Sequence, residues 1–309
     1  MLPLIYHPIY SQLPLPDGHR YPIMKYQYLY EAVNRHICDQ MLDGDQIQFF
    51  QPSPLSLDVL KAIHCQEYVE QLVSGTLPAA KMRRIGFPWS EKLIERTLTS
   101  AAGTVLAVEK ALESGIAIHL SGGYHHAHHN FGSGFCLFND LVVAAHRALE
   151  HEQIDKVLII DSDVHHGDGT ATLCQEEPDI ITLSFHCEKN FPARKPDSDL
   201  DVPLPCGTGD EDFLDAFREV VSMAMHLHRP DFVIYDAGVD IHAEDELGYF
   251  NVSTEAIAQR DRFLLRLMKE RGTPIAAVVG GGYRTNHADL VPIHLELILA
   301  ALDVFGHKE

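Results

Sequence analysis

The sequence predicts an α/β fold: one open, mostly parallel β-sheet with helices on both faces, carried by residues 1–309 as a single domain. Three observations predict it. Short apolar runs alternate with amphipathic stretches of helical length, polar and glycine-rich residues collect just after those runs, and no low-complexity linker or fixed-period repeat divides the chain. Strand followed by helix, repeated, calls for parallel pairing with crossover helices on the two faces of the sheet. A closed eight-fold barrel obeys the same rule, but the first hundred residues read as too helical for it.

Taken in order, "SEKLIERTLTSAAGTVLAVEKALESG" reads as a long helix capped by Ser90 and stopped at Gly115. The run "IAIHL" (116–120) follows as a strand, and "NDLVVAAHRALEHE" as a helix with Asn139 at its N-cap. "KVLII" (156–160) and "IITLSF" (180–185) are the next strand candidates. The helix "DEDFLDAFREVVSMAMHLH" opens on acids, which suit the positive end of a helix dipole. "DFVIYD" (231–236), a helix capped by Ser253 or Thr254 and ended at Gly272, and "IAAVVG" (275–280) complete the pattern. Each strand candidate is compact and almost wholly apolar, as a parallel strand covered on both sides should be.

The totals narrow the function. Apolar residues make up 46% of the chain and charged residues 22%, the profile of a soluble globular protein. A formal charge of −20 argues against direct contact with nucleic acid, whose phosphates it would repel, and is compatible with a cationic substrate. Cys38, Cys65, Cys136, Cys174, Cys187 and Cys206 form no C-x-x-C pair, so reduced, mostly buried thiols and a cytoplasmic location are expected. The start "MLPLIYHPIYSQLP" lacks the basic and apolar regions of a signal peptide, and no run of about 18 apolar residues predicts a membrane span.

In open parallel sheets, ligands bind beyond the carboxyl ends of the strands. The residues there are unusual. "SGGYHHAHHNFGSGF" follows 116–120, "DSDVHHGDGT" follows 156–160, "AGVDIHAEDELG" follows 231–236, and "GGYRTN" follows 275–280. Alternate residues of an extended chain point the same way, so Asp161, Asp163 and His165 can face one site. With Asp240 from the next strand end, Asp163 and His165 offer two carboxylates and one imidazole, leaving coordination positions open as a catalytic metal requires. The blander reading of the same residues is helix caps and turns. His125 and His126, opposite Asp161 and Asp168, can each donate to a carboxylate that fixes the tautomer, and one can then accept a proton from water. His128 and His129 fit supporting or surface roles. Gly280, Gly281 and Gly282 let the backbone approach a substrate while Tyr283 points its phenol at an oxyanion. The bland alternative there is a tight turn with a packed tyrosine.

These four motifs, in this order and spacing, resemble the signatures of the zinc-dependent histone deacetylase superfamily, which also includes acetoin-utilisation proteins and acetylpolyamine amidohydrolases. The resemblance covers nearly the whole chain. "YHPIYSQLPLPDGHRYPIMKYQYL" and "RRIGFPWSEKLIERT" look most like the class IV branch and its bacterial relatives. The resemblance implies the arginase/deacetylase fold and hydrolysis of an Nε-acyl-lysine amide by metal-activated water. It implies Asp163, His165 and Asp240 as ligands of zinc, with ferrous iron the other candidate. His126 matches the general base, His125 its electrostatic partner, and Asp161 and Asp168 the acids that support them. Tyr283 matches the residue that polarises the scissile carbonyl. Gly134, Phe135 and Phe191 match the acyl-lysine tunnel, with Leu247, Gly281 and Gly282 as further substrate contacts. Asp161, Asp163, His165, Ser184 and Phe185 match a site for potassium or sodium. No covalent intermediate is implied, so Cys136 reads as packing.

Leu247 stands where polyamine-selective members carry an acid, although Glu244, Asp245 and Glu246 are close by. That favours an acyl-lysine protein or peptide as substrate over a small acylated amine. The motifs set no oligomeric state. An arginase-like ureohydrolase with two manganese ions would need more inward carboxylates and would lack the "HHA" and "GGGY" pair. A non-catalytic acyl-lysine binder would have lost a ligand or a base, and none is missing. A dinucleotide-dependent oxidoreductase would show a G-x-G-x-x-G, which the chain lacks.

Overall fold

The computed structural model describes residues 1–39 and 46–306, the side chains of 37–39 excepted. In chain order the elements are β1 (Leu2–Ile5), α1 (Lys25–Asp39), β2 (Ile47–Phe50), α2 (Leu57–Ile63), α3 (Gln66–Ser74), α4 (Ala79–Ile85), α5 (Glu91–Ser114) and β3 (Ile116–His119). Then come α6 (Asp140–Leu149), β4 (Val157–Asp161), α7 (Asp168–Cys174), β5 (Ile180–Cys187), β6 (Leu200–Leu204) and α8 (Asp210–His228). β7 (Phe232–Asp236), α9 (Thr254–Arg271), β8 (Ile275–Val278) and α10 (Val291–Phe305) close the chain. Among the described residues eight strands form one sheet in the order β2-β1-β3-β8-β7-β4-β5-β6, and every pairing is parallel. The expected open sheet is therefore wholly rather than mostly parallel.

The side-chain alternation of the strands divides the interior into two cores. Leu158, Ile160, Val233 and Tyr235 join one cluster with residues of α8, α9 and α10, while Ile159, Ile234, Ala117 and Ala276 join another with α5 and α6. Helices thus cover both faces. The caps follow the residue chemistry: Ser90, Asn139 and Ser253 each accept a hydrogen bond from the backbone N–H three residues on. Gly115 and Gly272 end their helices in the left-handed region, as read from the sequence.

Three strands, β1, β2 and β6, are additions to the five expected. β6 alternates half-buried and exposed residues and carries Pro203, as suits an edge. β2 is the other edge and is half-buried at best. β1 is fully buried but only four residues long and contains Pro3.

The register places the site. Asp161 at the end of β4 stands level with Ser184 of β5 and Asp236 of β7, and Asp236 stands level with Val278 of β8. One sheet edge therefore gathers the ends of the central strands. Among the described residues no helix is long and apolar enough to cross a membrane. Cys65, Cys136, Cys174, Cys187 and Cys206 are free thiols, three of them buried; the Cys38 side chain lies outside the described residues.

Candidate active site

Beyond β4 the chain bends at 163–165, and backbone N–H groups bonded to the carboxylate two residues back hold Asp161, Asp163 and His165 around one site. Asp161 Oδ1 accepts from the Asp163 N–H (3.1 Å) and Asp163 Oδ1 from the His165 N–H (2.8 Å). Asp240, four residues beyond β7, accepts from the Val164 N–H (2.8 Å), which ties the two strand ends together. Arg260 of α9, fully buried, donates to the carbonyls of Gly238 (2.8 Å) and Ala237 (3.3 Å) and so braces the loop that carries Asp240.

One ligand atom each from Asp163, His165 and Asp240 lies within 4.8 Å of the others, and all three residues are buried. His165 Nδ1 sits 2.9 Å from Asp163 Oδ1 and 3.1 Å from Asp240 Oδ2. A single ring nitrogen carries one proton at most, so it cannot donate well to both carboxylates. Burial and the adjacent Asp163 push the Asp240 carboxyl up to about 8, so the pair resists holding two negative charges unaided. Gly281 lies so close that a Cβ there would run into both carboxylates. A buried, oxygen-rich, three-donor cradle of this kind fits a divalent ion such as zinc or ferrous iron.

The two tandem histidines form a linked pair. His125 Nδ1 is 2.7 Å from Asp161 Oδ2, and His126 Nδ1 is 2.7 Å from Asp168 Oδ1. Their Nε2 atoms are 3.1 Å apart. With both Nδ1 protons given to carboxylates, that contact needs a further proton on one ring. Burial alone would lower His125, but Asp161 and Asp163 outweigh it and hold the imidazole well above 6.5. Burial and the neighbouring His125 push His126 down to about 3. His125 is thus the imidazolium and His126 the neutral ring, its Nε2 lone pair facing the His125 Nε2–H.

Tyr283 presents its ring 6.2 Å from that of His165 and 6.1 Å from that of Phe135. Its backbone N–H donates to Asp245 (2.6 Å). Burial, then the charges of Asp163 and Asp240, hold its phenol well above 10, so it remains a donor. These groups open into a cavity of about 730 Å³ whose lining includes His126, His165, Gly134, Phe135, Phe191, Leu247 and Tyr283. Phe135 adopts φ 67°, rare for a non-glycine residue, held by its N–H bond to the Ile85 carbonyl (2.8 Å). Gly134 must be small, since a Cβ would come within 2.6 Å of the His126 ring and 3.2 Å of Phe191.

Gly281 lies against the carboxylate pair, as described. Gly282 turns away from the cavity: at φ 144° a Cβ there would meet Val239 and His294. Ser184 lies level with Asp161, whereas the Phe185 ring packs 4.9 Å from Phe217 in the core. His128 bonds through Nε2 to the second Asp168 oxygen (3.0 Å), and the exposed His129 bonds the Ile63 carbonyl (3.0 Å). Burial raises the Cys136 thiol well above 9, which suits packing rather than attack.

Two residues escaped the sequence reading. Asp236, the last residue of β7, is fully buried, and neither carboxylate oxygen has a hydrogen-bond partner among the described residues. Burial, then Asp161, hold it well above the usual carboxylate range. The usable signal was that it closes its apolar run as Asp161 closes "KVLII"; the register that sets the two level is seen only in the fold. Lys25 at the start of α1 donates to the carbonyl of Gly280 (2.8 Å), and burial lowers it to about 8. That contact spans 255 residues, and no local pattern announces it.

Comparison with known proteins accords with this geometry. A family model described as the histone deacetylase domain matches residues 19–296. An uncharacterised protein of Picosynechococcus is 40% identical over 303 residues, which cover 98% of this chain and 99% of that one. Histone deacetylase 2 of Arabidopsis thaliana is 29% identical over 248 residues, 77% of this chain and 64% of its own length. The acetoin utilization protein AcuC of Bacillus subtilis is 27% identical over 303 residues, 90% of this chain and 76% of its own.

Proposed function

The chain belongs to the histone deacetylase family, and on that premise we propose that it hydrolyses the amide of Nε-acyl-lysine, as one catalytic unit of the class IV-like bacterial branch. Asp163, His165 and Asp240 would hold the catalytic ion, zinc or ferrous iron; Asp161, Asp163, His165, Ser184 and Phe185 would hold potassium or sodium. The observation that carries the proposal is that one member of the three-donor cradle (His165), one of the histidine pair (His126) and Tyr283 line a single cavity, with Asp163, Asp240 and His125 bonded or packed directly behind them. When bound, the ion supplies Lewis acidity, which polarises a carbonyl and lowers the pKa of water to about 7.

The chain's own groups supply the rest. His126 Nε2, once it releases the His125 Nε2–H it accepts here, takes the proton of the attacking water, since its ring is neutral at pH 7. Asp168 fixes the His126 tautomer and stabilises the charge that forms there. The His125 imidazolium, anchored by Asp161, holds the hydrogen bond to His126 before the reaction and balances the site's carboxylates. Tyr283 donates to the carbonyl oxygen as it becomes an oxyanion. Gly134, Phe135 and Phe191 wall the acyl-lysine chain and keep water from it. The proton on His126 then passes to the departing lysine amine.

A small acylated polyamine is the second reading, and the acids near Leu247 disfavour it. Asp245 accepts from the N–H groups of Tyr283, Leu247 and Gly248; Glu246 accepts from Thr285; Glu244 pairs with Arg284. Each is already engaged, so a distal ammonium would have to compete for it. The test is hydrolysis of lysine peptides bearing acetyl through myristoyl groups, beside acetylated putrescine, by protein loaded with zinc or iron. One lysine acyl group should give a rate maximum, and Tyr283→Phe should lower kcat about 10²- to 10³-fold. Faster turnover of the polyamine, or unchanged turnover by the Tyr283 variant, would overturn the reading.

A further inference from the structure

The chain as a whole is strongly acidic, with a formal charge of −20. The mouth of the catalytic cavity has the opposite sign. Arg20, Arg84 and Arg194 all line it and all are exposed. They come from three separate segments: the loop before α1, the end of α4, and the loop after β5. Among the described residues none of the three forms an ion pair or a side-chain hydrogen bond, whereas Arg147, Arg260, Arg262, Arg266 and Arg284 each pair with a carboxylate. Arg84 is nonetheless held in place, its guanidinium 3.9 Å from the centre of the Phe131 ring.

The same lining holds two acids against the three arginines, Asp168 and Glu246. Asp168 is bonded to His126 and His128, and Glu246 accepts from the Thr285 N–H (2.7 Å) and hydroxyl (3.0 Å). Glu246 offsets one arginine, and Asp168 lies buried at the catalytic end of the cavity beside His126, so two arginines at the rim stay uncompensated. Charges farther away than a Debye length of about 8 Å are screened at physiological salt, so the local sign governs what docks. The rim also exposes Phe191 (42%) and Tyr249 (52%), apolar surface of the kind that binding sites present.

We infer that this mouth selects acyl-lysine set in an acidic segment, with Asp or Glu side chains beside the lysine held by Arg20, Arg84 and Arg194. The inference rests on the acyl-lysine reading and adds the class of protein substrate. A guanidinium presents a planar fork of donors that matches a carboxylate two bonds at a time. The same ring of charge repels lysine- and arginine-rich tails and free polyamines.

The test uses three peptides with one acyl-lysine and acidic, neutral or basic flanks, scored for both turnover and binding by fluorescence polarisation on the metal-loaded protein. At a salt concentration of about 0.05 M the acidic peptide should exceed the basic one at least about tenfold in kcat/KM and in affinity. The ratio should shrink toward one at about 0.5 M salt, and in a Arg20→Gln, Arg84→Gln, Arg194→Gln triple variant whose fold is checked by circular dichroism. Equal or reversed preference, or a preference that survives the triple variant, overturns the inference. Hydrolysis of the neutral peptide without flank preference leaves the deacylase reading standing and removes only the arginine mouth. Tighter binding of the acidic peptide without turnover of any does the reverse.

Discussion

His125 and His126 are neighbours in the chain, and each points Nδ1 at a carboxylate 2.7 Å away, Asp161 for one and Asp168 for the other. Their protonation is nonetheless opposite. His125 has Asp161 and Asp163 beside it, with Asp236 adding to their field, and this outweighs burial. His126 faces His125 and His165, and its one acid is shared with His128. The same hydrogen bond thus accompanies a fixed cation in one case and a free base in the other. What separates them is the charge within a few ångströms of each ring, which the bond length does not report.

Removing the base breaks the comparison most severely. His126→Ala should lower kcat/KM on acyl-lysine peptides by about 10²- to 10⁴-fold while the fold persists. Steady-state kinetics beside circular dichroism measure this, and a loss under tenfold would place the base elsewhere. Exchanging the acids sharpens it. Asp161→Asn removes the largest charge favouring the imidazolium, so the His125 ring should fall below its present position and activity should drop about 10- to 100-fold. Asp168→Asn removes a charge from a ring that burial and His125 already keep neutral. The His126 resonances in a proton NMR titration should then stay neutral down to pH 5, as before. A matching shift of both rings would mean that the acids, not the wider field, set the difference.

The parts of this arrangement legible in the sequence are those that repeat a local period. β3, β4, β5, β7 and β8 are buried along nearly their whole length and so read as continuous apolar runs, while the edge strands β2 and β6 do not. Asp163 and His165 announce themselves by alternation beyond a strand end, and Asp240 by an equivalent position after β7. The carboxyl-end rule for parallel sheets did the rest. Three consecutive glycines share one sequence signal but meet different neighbours, the carboxylates for Gly281 and Val239 for Gly282, and only the fold separates them. Arg20, Arg84 and Arg194 carry no mutual signal at all, since only the fold brings three distant segments to one rim.

The smallest expected effect tests whether burial alone can do to an imidazole what it does at His126. His64 is pushed down to about 4 by burial, and His119 to about 3 by burial and then the Arg96 charge, both outside the catalytic pair. Unfolded histidines titrate near 6.5. Between pH 6.5 and about 4 the unfolded chain therefore binds protons that His64, His119 and His126 refuse in the native state. Stability must fall as pH falls through that window, by up to about 1.4 kcal/mol per pH unit for each such group. Above pH 6.5 these rings are neutral in both states and contribute no slope. His125 runs the other way: its stabilisation is complete below 6.5 and is lost as pH rises through its elevated native value. Urea unfolding at pH 7, 6 and 5 reads the acid limb. His119→Gln can keep a bond to Thr104 or Tyr10, which the ring contacts at 3.0 and 2.9 Å, and should flatten that limb by one group's share. An unchanged slope would mean that His119 takes up its proton without unfolding, and that the suppression of His126 owes more to His125 than to burial.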